Sequence, residues 1–573
     1  MRRPFALLLI LGCAFAPGAQ AHDSAAMLRA RLDQAEARVV TAQARMLDAP
    51  VARAEVEITL AKMALDTAGM LAAMKEDPAR IAEWEQKAQD SLSRALVDSL
   101  PSRSVEARGM FVDAGSLPKT AQGIRDLVDR LAQAHFNMIL PEVIRRGYTL
   151  YPSAFTERDP EFAGLDVDPV GLLVTEAHRH GIEVHPWVWT FRVRSPGFGN
   201  PVLARLPALA ARSERTTEPR FLSPADPESR EYVYGLVDEL TSRYDLDGLC
   251  LDYIRYDEET PDDWISQTRF SFDYRARHGH FPAMPVAPFS ADWVEYQLWR
   301  EEQVNQTVRA LSQRLHARFP GFQLSVATFR GEKYARLNKM QDWRHWSDNA
   351  WADVVTSMLY TPRPQDLGTW LDWETDHGKR SNLLYAILGP LRMDDPVRET
   401  LLECEVLNQR QNPGVLLFSL GHMTPELWDA LGQGPFRRPA MVPHRHVMLA
   451  VRHQLVEVDD DYLGPIQDGA DFDLAATVAV LRTEIKKVAR SLPLDQAPFW
   501  QNGALTDRLE GLKSLARQMV TTHHLPEPVA DELAHRVDYA EALVRANAQH
   551  LAATRYVPAT LPPGSPETNE ARD

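Results

Sequence analysis

The chain has 573 residues, a quarter of them charged, with a formal net charge of 63 − 79 = −16. An acidic balance without a basic stripe argues against nucleic acid or an anionic lipid surface as partner. The length calls for more than one domain, and three cysteines in a chain of this size exclude a disulfide framework.

The first element in chain order reads as an export signal. Met1-Arg2-Arg3, an apolar run from Phe5 to Ala16, and Ala19-Gln20-Ala21 before His22 supply a basic start, a short apolar core and an Ala-x-Ala cleavage site. The run is too short to span a bilayer. Residues 1–21 are therefore expected to be removed and the protein exported, to the periplasm or to the outer membrane. Ile10-Leu11-Gly12-Cys13 is an imperfect lipobox that would anchor a lipoprotein through Cys13, although Leu11 fits it poorly and the Ala-x-Ala site fits well. Export leaves Cys250 and Cys404, both in apolar segments and expected as buried free thiols. No later stretch is apolar and long enough for a transmembrane segment.

Residues 22–101 are rich in Ala, Leu, Glu, Arg and Gln, with apolar residues at helical spacing such as Met27, Leu28, Leu32 and Ala35. They read as two or three amphipathic helices. From 102 to 440 the texture changes to short apolar runs alternating with helical stretches. The expected strands are Ala107–Val112, Asn137–Val143, Ile182–Thr190, Gly248–Tyr256, Gln323–Arg330, Asp353–Tyr360, Asn382–Leu388 and Gly414–Leu420. The helices expected between and after them are Ala121–Ala134, Pro169–His180, Pro227–Tyr244, Ala291–Phe319, Asp342–Asn349, Leu367–His377, Pro396–Gln409 and Pro425–Leu431. Eight strand–helix alternations predict an α/β fold, a (β/α)8 TIM barrel flanked by N- and C-terminal helical regions. The connections after strands two to four are the longest, so the enlarged rim borders the fourth strand. Residues 441–557 return to helical texture, and 558–573 read as a disordered tail.

Asp247-Gly248-Leu249-Cys250-Leu251-Asp252-Tyr253-Ile254-Arg255-Tyr256 is an apolar strand that ends in an acid, an arginine and two tyrosines. Packing needs no carboxylate there, and a barrel keeps its chemistry at the C-terminal ends of its strands. Asp252 is the leading catalytic candidate; a helix cap or an ion pair with Arg255 is its bland alternative. Glycoside cleavage usually needs two carboxylates. Glu332, just past the fifth strand, is the favoured partner and Glu142, at the end of the second, the next. His185, Trp187 and Trp189 on the third strand, with Arg255, Tyr256 and Tyr360, are candidate substrate-binding residues, since aromatic faces bury the C–H side of a sugar while polar groups read its rim. Eleven of the 13 tryptophans lie between Trp187 and Trp428, as a glycan cleft would need. No metal or other cofactor is expected: His178-Arg179-His180 and His444-Arg445-His446 lack a second cluster at ligand spacing, and CxxC and HExxH are absent.

The ordered set Arg108-Gly109-Met110-Phe111-Val112-Asp113, Phe136-Asn137-Met138-Ile139, Tyr148-Thr149-Leu150-Tyr151-Pro152-Ser153, Gly181-Ile182-Glu183-Val184-His185-Pro186-Trp187-Val188, the fourth-strand run, Gln341-Asp342-Trp343 and Met358-Leu359-Tyr360-Thr361 resembles the bacterial glycosyl-hydrolase-like barrels. The resemblance spans about Arg108 to Leu420. It implies an envelope glycan hydrolase whose relatives act on amino-sugar polymers, including peptide-free peptidoglycan strands and poly-glucosamine, with the family's fourth-strand acid at Asp252. Many relatives carry a second acid where this chain has Tyr253, and Gln where it has Glu142. The expected function is an exported glycoside hydrolase acting on a polysaccharide; the alternatives are a barrel that holds glycan without cutting it, or an envelope scaffold. The sequence sets no oligomeric state.

Overall fold

The computed structural model describes residues 24–214, 216, 218–258, 263–375, 383–492, 501–522 and 525–555. The expected signal peptide, Cys13, the tail from 558, and the expected start of the seventh strand at Asn382 lie outside them. The chain forms two compact units, one from residues up to Val39 with Val51–Leu96, the other from Val40–Pro50 with everything after Val97.

The first unit is built from three helices, Ala25–Ala44, Val51–Ala73 and Pro78–Ser99. Ala54, Ile58, Ala61, Leu65 and Ala68 recur at three- and four-residue steps on the second helix and are buried. Such a stripe of small residues lets helices approach closely. Leu28, Ala35, Ala88, Leu92 and Ala95 complete the core.

In the second unit eight parallel strands close into a barrel: β1 (Ala107–Val112), β2 (Met138–Arg145), β3 (Glu183–Val184 and Trp187–Trp189), β4 (Gly248–Asp252), β5 (Gln323–Phe329), β6 (Val354–Met358), β7 (Leu383–Leu388) and β8 (Gly414–Phe418). β1 pairs with both β2 and β8, which removes every sheet edge. A helix follows each strand. Asp168, Asp226, Asp395 and Thr424 cap helices that begin with proline, a pairing that satisfies a free N–H and presets the first helical φ.

Two strands depart from the sequence reading. β3 breaks at His185-Pro186 because proline has no N–H for the ladder. β4 stops at Asp252, four residues short of Tyr256, because Tyr253 adopts φ +50. The chain then makes an excursion that includes the helix Trp264–His278, absent from the sequence reading, with its own small core of Phe270, Tyr274, Val286 and Tyr296.

The N-terminal end of the barrel is closed by the helices Val447–Glu457, Phe472–Ser491, Gln501–Thr522 and Glu527–Arg555. Tyr539 donates to the Val105 carbonyl just before β1, and Gln411 donates to the His535 carbonyl just before β8. One continuous apolar core joins barrel residues such as Ala107, Leu383 and Leu416 to Met448, Leu455, Leu481 and Leu533. Among the described residues no helix is long and apolar enough to cross a membrane. Cys250 and Cys404 are free and buried.

At this closed end lies a buried polar brace. Glu183, at the start of β3, accepts from His185 Nε2 at 3.0 Å and His444 Nε2 at 2.7 Å, and pairs with Arg445, which also holds Asp247. Burial opposes the charge on Glu183, yet the charge and hydrogen bonds of His444 and His185 outweigh it and hold the carboxyl well below the usual range. Its stabilisation is therefore present above the unfolded value of about 4.3 and lost as the pH falls below it. Glu183→Gln is expected to cost about 3 kcal/mol at pH 7, with the gap to wild type narrowing below about pH 4, read from urea unfolding at both pH values.

Candidate active site

Strand alternation decides which side chains enter the lumen. Phe111, Leu140, Trp187, Cys250, Ala327, Ile387 and Leu416 share its core. Two residues further along the same alternation stand Asp113, Glu142, Trp189, Asp252 and Phe418, at the open C-terminal end of the barrel. Four rings floor this end: Phe111 lies 5.6 Å from Trp187, Trp187 lies 5.5 Å from Phe418, and Phe418 lies 5.7 Å from Tyr360.

Asp252 is half-buried above this floor. Its Oδ2 accepts the Trp187 indole N–H at 3.0 Å and its Oδ1 the Tyr253 amide at 2.6 Å. The left-handed turn at Tyr253 brings that amide back onto the carboxylate. Burial pushes the Asp252 carboxyl above its usual range, against the pull of the Tyr253 amide, Arg255, the Trp187 indole and Arg192.

Glu142 sits level with Trp187 in the β2–β3 register, and Trp189 sits level with Asp252 in the β3–β4 register. The register puts Glu142 level with Cys250, so the two acids are two strands and two residues apart, about 12 Å between backbones. Both side chains point inward, which narrows the gap between the carboxyl groups toward the ~5–10 Å of a catalytic pair. Glu142 is buried and accepts from the Ala114 amide at 2.9 Å, with Arg145 3.8 Å away. Burial raises its carboxyl to about 7 despite that amide and the two arginines Arg145 and Arg146.

The other sequence candidates separate into three groups. Trp189, Arg255 and Tyr360 reach the site: Trp189 packs against Tyr253 with centroids 4.8 Å apart and planes tilted by 53°, and keeps a buried indole N–H without a protein acceptor, while Arg255 and Tyr360 both feel the Asp252 charge. Trp187 reaches it from below and serves Asp252 as a donor; its ring is packed in the floor. His185, Tyr256 and Glu332 are placed elsewhere. His185 is fully buried in the brace at the closed end, about 13 Å along the strand from Trp189. Tyr256 is buried under the excursion, bonded to Ser266 and covered by Arg300. Glu332 opens a short helix and pairs with Arg344 at 2.9 Å, where the turn after β5 carries it.

Sequence spacing also misses several residues. Arg192 donates to the Tyr253 hydroxyl at 2.8 Å and lies over Trp189. Lys339 is buried with its amine 4.1 Å above Phe329 and paired with Glu258; burial lowers it to about 7. Asp113, directly after β1, accepts from Ser419 at 3.0 Å. His444 joins Glu183 and His185 to make three metal-capable groups within 4.8 Å. Both imidazole Nε2 atoms face one oxygen of Glu183, Arg445 neutralises the other, and His185 Nδ1 has no acceptor to fix the tautomer that metal ligation needs. This donor set fits a hydrogen-bonded brace and not a metal centre.

Residues 110–380 match the family described as Glycosyl hydrolase-like 10. That match covers just under half of the chain. Over 271 residues the chain is 25% identical to glycosyl hydrolase DigH of Escherichia coli K12, a match covering 42% of this chain and 58% of DigH. Over 274 residues it is 19% identical to glycosyl hydrolase YngK of Bacillus subtilis 168, covering 43% of this chain and 50% of YngK. The chain thus spans less than two thirds of either relative. Solved structures similar to it include α-L-fucosidase isoenzyme 2 from Paenibacillus thiaminolyticus, at 14% identity and TM-score 0.40 over 58% of this chain and 49% of that one. A β-galactosidase from Marinomonas ef1 aligns at 12% identity and TM-score 0.43 over 61% and 60%.

In this barrel the buried acid Glu142 carries a stability signature. With a folded value of about 7 above an unfolded value of about 4.3, its contribution is present at low pH and lost as the pH rises through 7. Glu142→Gln keeps an acceptor for Ala114 and is expected to stabilise the fold at pH 8 by up to about 3 kcal/mol, and by much less at pH 5. Thermal unfolding at the two pH values reads the difference.

Proposed function

We propose that the protein is an exported glycoside hydrolase that cleaves an amino-sugar-containing polysaccharide by carboxylate acid/base catalysis. The observation that carries this reading is the inward pair of Glu142 and Asp252 at the open end of the barrel, spanned by Trp187. Asp252, supplied with two N–H donors and flanked by Arg255 and Arg192, suits the carboxylate that attacks or stabilises the oxocarbenium-like centre. Glu142, held protonated near neutral pH by burial, suits the proton donor to the leaving oxygen. Glu332 gives up that role to it, since its carboxylate is engaged by Arg344.

Trp189 and Tyr360 offer ring faces for pyranose stacking beside Asp252, and the free indole N–H of Trp189 offers a donor to a sugar oxygen. Arg192 and Arg255 give the same rim a positive field in an otherwise acidic protein. Among amino-sugar polymers that field favours one with acidic substituents over a polycationic one. Export rests on the signal-peptide reading of residues 1–21 and places the substrate in the cell envelope.

The test is release of reducing ends from peptide-free peptidoglycan strands. Wild type is expected to turn over, with activity falling as the pH rises through about 7 as Glu142 loses its proton. Glu142→Gln is expected to lose about 10²- to 10⁴-fold and Asp252→Asn at least as much. Binding without turnover by wild type would sink the hydrolase reading, and equal turnover by Asp252→Asn would remove that residue from its role.

A further inference from the structure

One loop touches both carboxyl groups at the β1–β2 corner of the barrel mouth. Asp113 is the next residue along the β1 alternation after Phe111, so it shares the lumen with Glu142. It is held by three donors: the Ser116 amide at 3.0 Å and the Ser116 hydroxyl at 2.9 Å on Oδ1, and the Ser419 hydroxyl from the end of β8 at 3.0 Å on Oδ2. The following residue, Ala114, points its amide at Glu142 Oε2. The backbone turn is pinned further by the Ser116 and Leu117 amides, which both donate to the Asp113 carbonyl. Gly421 packs against this cradle so closely that a methyl group there would stand 2.7 Å from the Ser116 hydroxyl.

We propose that Asp113 is a positioning residue for Glu142: its cradle aims the Ala114 amide at the acid, and its fixed negative charge keeps the proton on Glu142. The role rests on the reading of Glu142 as proton donor. Other charged groups face this corner. Arg145 at the end of β2 and Arg146 just after it favour ionised Glu142, but Arg145 is largely taken up by Asp159 at 2.9 Å and Glu161 at 3.0 Å from the loop after β2. His422, after β8, faces Asp113 and is pushed down in pKa by burial. Asp252 is reached only across β3. Asp113 is therefore the nearby charge that opposes the arginines.

The deciding experiment follows the Glu142 carboxyl by carbon NMR in the full-length protein, with Glu142→Gln for assignment, alongside the pH profile of kcat/KM. Asp113→Asn keeps partners for both serines and removes the charge. It is expected to lower the Glu142 titration, and with it the basic limb of the profile, by about half to one pH unit, with KM little changed. Asp113→Ala also gives up the cradle that aims the Ala114 amide, a bond that favours ionised Glu142, so its titration is expected to lie above that of Asp113→Asn, thermal unfolding confirming that both variants fold. An unmoved Glu142 titration in folded Asp113→Asn overturns the proposal. Wild type without turnover on any glycan would instead defeat the hydrolase reading, while the titration still decides the role of Asp113.

Discussion

A carboxylate at the end of a buried strand must be met by donors, and most of the barrel mouth is arranged around meeting Asp252. Leaving such a charge unpaired would cost several kcal/mol, whereas a hydrogen bond to a charged group returns about 1.5–3 kcal/mol. Two donors are therefore close to the minimum. One, the Tyr253 amide, requires the chain to leave the strand in a left-handed turn. The other, the Trp187 indole, is held by edge-on contacts to Phe111 and Phe418, so the position of Asp252 depends on β1, β3 and β8 turning their side chains into one closed lumen.

The two ends of the barrel divide the work. At the closed end the C-terminal helices cover the strand starts, and the Glu183–His444–Arg445–Asp247 brace ties the segment leading into those helices to β3. Apart from His185 Nδ1 its polar groups are matched to one another, which suits a fixed structural contact. At the open end the matching is deliberately incomplete. Glu142 and Asp252 both bear raised pKa values, and the Trp189 indole has no protein acceptor. Perturbed acids and unmet donors in a mouth lined by rings and cations are the marks of a surface that completes itself with a ligand.

Local pattern carries the fold in this sequence. Apolar runs of strand length alternate with capped helices whose Asp-Pro and Thr-Pro starts announce them, so all eight strands and most helices are legible. The breaks have local causes that override the pattern: Pro186 interrupts β3, and the turn at Tyr253 ends β4 before an otherwise strand-like Ile254-Arg255-Tyr256. The helix Trp264–His278 escapes notice because its buried positions pack a private core and not the barrel. Asp252 is legible because it ends an unmistakable strand. Its partner is not, because register decides it. Glu332 is near in sequence to a strand end yet turns toward Arg344, while Glu142 meets Trp187 only through pairing of β2 with β3. The approach of Asp113 to Glu142, and of His444 to Glu183, likewise spans segments that only folding brings together.

In the proposed reaction Asp252 and Glu142 flank the bond to be cleaved. The most direct measurement is a structure of the Asp252→Asn protein with an amino-sugar oligosaccharide bound. A glycosidic oxygen is expected within hydrogen-bonding distance of Glu142, with the adjoining anomeric carbon facing residue 252 and a sugar ring against Trp189. A glycan bound with its linkages out of reach of both residues would contradict it.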